Sequence, residues 1–126
     1  MVLVDSSVWI AFFRGSLEAK AIFGLIDTNT ICTNDLILAE LVPSLQVRRE
    51  NDLIYILESI EKLDLDIDWN ELIAFQSYNL KHGINRVGLS DLIIAQNAIQ
   101  NSARLYSLDK HFMLMRKHLG LKIFAE

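Results

Sequence analysis

The sequence predicts an α/β fold of three layers, a central parallel sheet flanked by helices, and three observations carry that expectation. Short apolar runs alternate with stretches of helical periodicity along all 126 residues, and strands separated by helices join through right-handed crossovers into a parallel sheet. The first run, Val2–Val4, is apolar without a break, as a central strand covered on both faces should be. Two later runs, Leu63–Ile67 and Leu121–Phe124, alternate apolar and polar residues, the pattern of half-exposed edge strands. The resulting expectation is one domain over residues 1–126 with five strands in the order 3-2-1-4-5. Winding then reverses between strands one and four, and ligand sites lie at the carboxyl ends of the strands flanking such a reversal.

Taken in order, strand one ends at Asp5 and a helix follows from about Ser7. Ser16 can cap a second helix, Leu17 to about Asp27, and Thr30–Thr33 is strand two. Leu36–Val47 is almost wholly apolar and long enough to be a buried helix, with Pro43 as a point of bending. Leu53, Ile54, Ile56, Leu57 and Ile60 give an amphipathic helix over about 51–62, before strand three at Leu63–Ile67. Trp69, Leu72, Ile73, Gln76 and Leu80 mark a helix stopped by Gly83. Ser90–Ser102 is helical, with Ala95 and Ala98 as a small-residue stripe for close packing on the sheet. Arg104–Leu108 is strand four, His111–Leu119 a helix ending at Gly120, and Leu121–Phe124 strand five.

With 52% hydrophobic residues the chain can bury a core without disulfides, and the lone Cys32 can form none within the chain. The N-terminal apolar stretch has no basic flank and contains Asp5. No apolar run approaches the roughly 20 residues that span a bilayer. These features lead to the expectation of a soluble, cytoplasmic protein with no membrane partner. The net charge is −4, but it is unevenly spread. Residues 50–71 hold eight acids and one base, whereas 81–122 hold seven bases and only two acids, Asp91 and Asp109. A basic region with two embedded carboxylates suits a site that attracts phosphate and holds a metal; two oppositely charged solvated faces would give the same pattern.

Four acids stand out. Asp5 follows three apolar residues at the end of strand one, where it could also cap the next helix. Glu40 lies in an otherwise apolar helix, where a buried charge needs a partner or a metal; a narrow solvent-facing stripe with Ser44 is the plain alternative. Asp91 opens a helix, where the dipole favours a carboxylate, and Asp109 could cap the next one. The topology puts all four on one rim, where their mutual repulsion would be relieved by a hard cation such as Mg²⁺ or Mn²⁺. Cys32, His82, His111 and His118 have no zinc-ligand spacing; the histidines read as surface residues, with His111 the best placed to approach a phosphate-bearing ligand.

The segment LVDSSVWI resembles the opening motif of PIN domains, and NDLILAELV, VGLSDLIIAQNA and LYSLDKHF resemble the second, third and fourth. All four occur in order across nearly the whole chain, in wording most similar to VapC-type toxins of toxin–antitoxin pairs. That resemblance implies a PIN-like fold and an Mg²⁺- or Mn²⁺-dependent endoribonuclease using one or two ions. It also implies an RNA substrate such as a tRNA or rRNA, a cognate antitoxin and a homodimer. It carries Asp5, Glu40, Asp91 and Asp109 over as the catalytic and metal-binding acids. Ser7 matches a residue supporting the first aspartate, and Ser107 the hydroxyl two before the last. Asn97 departs from the small or hydroxyl residue often found at its position and could add a polar contact at the site. Helices matching residues 36–62 would help form the antitoxin cleft. Trp9, Phe12 and Phe13 read chiefly as core, and as a groove for a partner in the lesser alternative.

The chemistry expected of such a site is attack on a backbone phosphate by water activated at the metal, leaving a 3′-hydroxyl and a 5′-phosphate. Arg86, Lys110 and His111 are the candidate phosphate contacts, with ordinary surface charge as the alternative. A non-catalytic PIN-like binding module is the main rival, and it would be expected to have lost some of the acids. A PIN nuclease outside a toxin–antitoxin pair is another. A phosphoacceptor receiver fits poorly, because strand two ends in Thr33-Asn34-Asp35. Neither glycine-rich nucleotide-binding motif is present.

Overall fold

Val2, Leu3 and Val4 are all buried, and this strand, β1, is the axis of the sheet. The structure is a computed structural model and describes residues 1–125. β1 pairs in parallel with β2 (Ile31–Thr33) on one side and β4 (Arg104–Tyr106) on the other. β3 (Glu61–Lys62) adds outside β2, giving the order β3-β2-β1-β4. Leu121–Phe124 joins outside β4, also in parallel, through a single bridge from Leu105 to Ile123. The expected order therefore holds, with a fifth position that is one bridge rather than a strand.

Seven helices connect these strands among the described residues: α1 (Ser6–Phe13), α2 (Ala21–Asp27), α3 (Asp35–Val47), α4 (Asn51–Ser59), α5 (Trp69–Lys81), α6 (Leu89–Gln100) and α7 (Lys110–Leu119). α3 runs through Pro43 without interruption. The expected second helix starts later: Leu17–Ala19 is a 3₁₀ turn capped by the Ser16 hydroxyl, and α2 follows it. α6 packs Ala95 and Ala98, both fully buried, toward the sheet beside β4. α7 stops at Gly120, whose φ of 74° is left-handed and whose following amide, Leu121 N, returns to the Arg116 carbonyl. None of the helices is long and apolar enough to cross a membrane among the described residues.

Strand three is corrected. It was expected at Leu63–Ile67, but the ladder covers Glu61–Lys62 and closes with Leu63 N donating to the Thr33 carbonyl at 2.8 Å. The amphipathic helix expected to reach residue 62 ends at Ser59, which frees that edge. Beyond Leu63, side chains of α6 pair the backbone instead of a neighbouring strand. Asn97 Nδ2 donates to the Asp64 carbonyl at 2.9 Å and Gln100 Nε2 to the Asp66 carbonyl at 2.7 Å. The alternation still reports side-chain burial correctly: Leu63 is buried, Leu65 and Ile67 pack on the core, and Asp64 and Asp66 are exposed.

Candidate metal centre

Asp5 leaves the end of β1 with its amide bonded to the Tyr106 carbonyl of β4 at 2.9 Å, so it lies where the two strands leave the sheet. It occupies the N-cap position of α1, and its carbonyl accepts from Val8 N and Trp9 N. Its side chain, however, makes no capping bond. Oδ2 accepts instead from Ser7 Oγ and from Ser107 Oγ, each at 2.8 Å, joining groups 100 residues apart in sequence. Ser7 Oγ also receives Leu108 N, and Ser107 Oγ receives Asp109 N, both at 3.0 Å. The two serines thus tie the loop after β4 to the first aspartate. Oδ1 accepts a single long contact from Ser6 Oγ, at 3.5 Å, among the described residues, in a carboxylate that is only 5% exposed.

The other acids converge on the same place. Glu40 lies about one and a half turns into α3, on its exposed side, and partial burial followed by the charges of Asp5 and Asp91 pushes its carboxyl above the ordinary range. Asp91, third residue of α6, is half-buried and likewise raised, first by burial and then by Asp109 and Asp5. The Gly88 backbone amide and His111 pull it the other way, Gly88 being the N-cap residue to which a third-position acid reaches back. Asp109 caps α7, Oδ1 accepting from His111 N at 2.9 Å, and the same oxygen contacts His111 Nδ1 at 3.0 Å. Ligand atoms of Asp91, Asp109 and His111 lie within 4.8 Å of one another.

This donor set fits a hard divalent cation. Its oxygens outnumber its one nitrogen, and two of its carboxyls are raised by burial and then by neighbouring negative charge, which a cation would relieve. The residues present therefore agree with the group their pattern implies.

The sequence pattern of the PIN domain matches residues 2–117. The chain belongs to the PIN domain family. No curated protein matches it in sequence. Solved structures similar to it include FitAcB from Neisseria gonorrhoeae, at TM-score 0.74 and 22% identity, covering 99% of this chain and 97% of that one. VapBC2 from Rickettsia felis, bound to a DNA fragment from its promoter, is similar at TM-score 0.73 and 20% identity, covering 98% of each chain. VapC20 from Mycobacterium tuberculosis, a toxin that cleaves the sarcin–ricin loop, is similar at TM-score 0.61 and 14% identity, covering 90% and 94%. At these identities the likeness is one of fold.

Within this PIN domain the remaining candidates fall in different places. Asn97 is 2% exposed and holds Asn34 Nδ2 on its Oδ1 at 2.9 Å and the Asp64 carbonyl on its Nδ2. Those partners are the cap of α3 and the loop after β3, so its hydrogen bonds join scaffold elements rather than the acids. Arg86 is exposed at φ 65°, in the loop that leads to Gly88 and Asp91. Lys110 is exposed beside Asp109. His111, read from sequence as a residue facing RNA, belongs to the acidic cluster through its contact with Asp109. Its spacing of two from a capping aspartate was the available signal, since a cap oxygen that meets the backbone amide two residues on is also close to that residue's side chain.

Proposed function

We propose that this PIN domain is a divalent-metal-dependent endoribonuclease and the toxin of a toxin–antitoxin pair. The observation that carries the reading is the closeness of Asp91, Asp109 and His111 at the rim where Asp5 ends β1, with Glu40 and Asp91 raised by burial and then by neighbouring carboxylates that include Asp5. Asp5 and Asp91 are the proposed direct ligands, with Glu40 and Asp109 binding through water or orienting the nucleophile. When bound, the ion supplies charge neutralisation at phosphate and lowers the pKa of a water it carries. The serine pair fixes the orientation of Asp5, and His111 holds Asp109. Lys110 and Arg86 add the positive field that draws a polyanion to an otherwise acidic chain.

Similarity to VapC20, which cleaves an RNA loop, and to VapBC2 supports RNA as the substrate and an antitoxin as the partner. The antitoxin's proposed seat is the groove of about 500 Å³ between α1 and α3, lined by Ile10, Phe13, Leu41 and Val47 with Arg14 and Arg48 at its sides. Trp9 is fully buried and belongs to the core, whereas Phe13 faces this groove. A homodimer would have a second apolar surface available, where Trp69, Ile73 and Leu89 are all more than half exposed.

The test is incubation of the purified protein with total RNA in Mn²⁺, with and without EDTA, followed by sequencing of the cleaved ends. Cleavage at defined sites that is lost in EDTA and in Asp91→Asn is expected. RNA that stays intact, or is cut equally by the variant, overturns the enzyme in favour of a binding module.

A further inference from the structure

We infer that a three-ring stack on α5 and α7, joined to the acidic cluster by one face of α7, is a second RNA-contact site that holds a nucleotide away from the scissile phosphate. Tyr78 stacks on His82 at 3.9 Å between ring centroids and on His118 at 4.2 Å, while the two imidazoles are 6.4 Å apart. The phenol therefore lies between them. Interplanar angles of 12° and 24° make the three rings a nearly parallel pile. Each imidazole is fixed by one nitrogen. His82 Nδ1 is 2.9 Å from the Tyr78 carbonyl, and His118 Nε2 is 2.7 Å from Oδ1 of the fully buried Asn79. Because a carbonyl oxygen only accepts, those nitrogens carry the protons, and in the neutral rings the other nitrogen of each is an acceptor.

Two of the three rings lie outside the core, Tyr78 being 42% exposed and His82 exposed, while the half-buried His118 anchors the pile to Asn79. Rings already held flat offer a stacking surface to a base at little further entropic cost. The path to the cluster is as direct. Lys110, His111, Leu114, Lys117 and His118 share one face of α7 by helical spacing, and His111 and His118 are about 10 Å apart along the axis. Lys110 and Lys117 are exposed at the two ends of that face, with Leu114 exposed between them.

Charge identifies the occupant. Residues 72–90 and 110–125 contain six Lys or Arg, all three histidines and no acid, while the rest of the chain has six bases against sixteen acids. A polyanion with planar bases suits both the charge and the rings, and single-stranded RNA has both features. The site rests on the ribonuclease reading, of which it is the substrate-binding extension.

The test measures binding of a fluorescein-labelled 12-nucleotide single-stranded RNA by anisotropy, in an Asp91→Asn background that prevents cleavage. His82→Ala and Tyr78→Leu are expected to weaken binding by about fivefold or more. Lys117→Gln should lower the slope of log affinity against log salt by about 0.7, a change that a packing role would not produce. Lys20→Gln, at the start of α2, should alter neither. Variants that fold, by thermal midpoint, yet keep the parent affinity and salt slope overturn the stacking site and leave the nuclease standing. No RNA binding in the parent, together with no cleavage by wild type, overturns both.

Discussion

At its N-terminal end α6 brings Asp91 into a group of carboxylates, and further along it brings Gln96 and Asn97 into a group of neutral amides. The amides are closely paired. Gln96 Oε1 accepts Asp68 N, its Nε2 donates to the Asp68 carbonyl and to Glu71 Oε1, and Asn97 bridges Asn34 and the Asp64 carbonyl. The acids show the reverse. Asp5 is held by two hydroxyls, but Glu40 and Asp91 are raised by burial and then by the charges of neighbouring carboxylates. One end of the helix stabilises the fold and the other strains it. Strain retained at one rim is what a binding site for a cation looks like before the cation arrives.

The amide end should be the more sensitive to substitution. Asn97→Ala leaves Asn34 Nδ2 buried without its partner, removes the donor to the Asp64 carbonyl and opens a small void, and should cost about 3 kcal/mol in denaturant unfolding. Next in size, Ser107→Ala removes a hydroxyl from Asp5 Oδ2 and the acceptor for Asp109 N, at about 1.5 kcal/mol. Ser7→Ala should cost a similar amount. The double variant should depart from additivity, because both hydroxyls serve one oxygen and lie 3.3 Å apart.

The smallest effect should come from pH. Glu40 and Asp91 have folded pKa values above the ordinary carboxylate range, so the folded state binds protons the unfolded chain does not. Their contribution is therefore full below the unfolded pKa and is lost as pH rises through the raised folded values. In EDTA, the stability difference between wild type and Asp91→Asn should then favour the variant at neutral pH and narrow on acidification. Equal pH profiles for the two proteins would break the contrast between the two ends of α6.

Much of this was legible in sequence, for identifiable reasons. β1 could be placed centrally because an unbroken apolar run needs cover on both faces, and Asp5 could be placed at its end because the run stops there. Ser7 and Ser107 were nameable only through motif resemblance; nothing local says that two hydroxyls 100 residues apart share one oxygen. Strand three was misplaced because alternation records which side chains are buried, not which groups satisfy the backbone. For Leu63–Ile67 those groups are amides on α6, more than 30 residues away. Asn97 was a candidate for a further polar contact at the site, and a motif position alone carries no information about the scaffold bonds it makes to Asn34 and Asp64.

The central claim is that four carboxylates act as one cation site, and the most direct measurement is the thermal midpoint during a Mn²⁺ titration. At one hundred times the dissociation constant the ion should stabilise wild type by about 2.7 kcal/mol, and Asp91→Asn should show no such rise. Equal rises in wild type and variant, or none in wild type, would contradict the account.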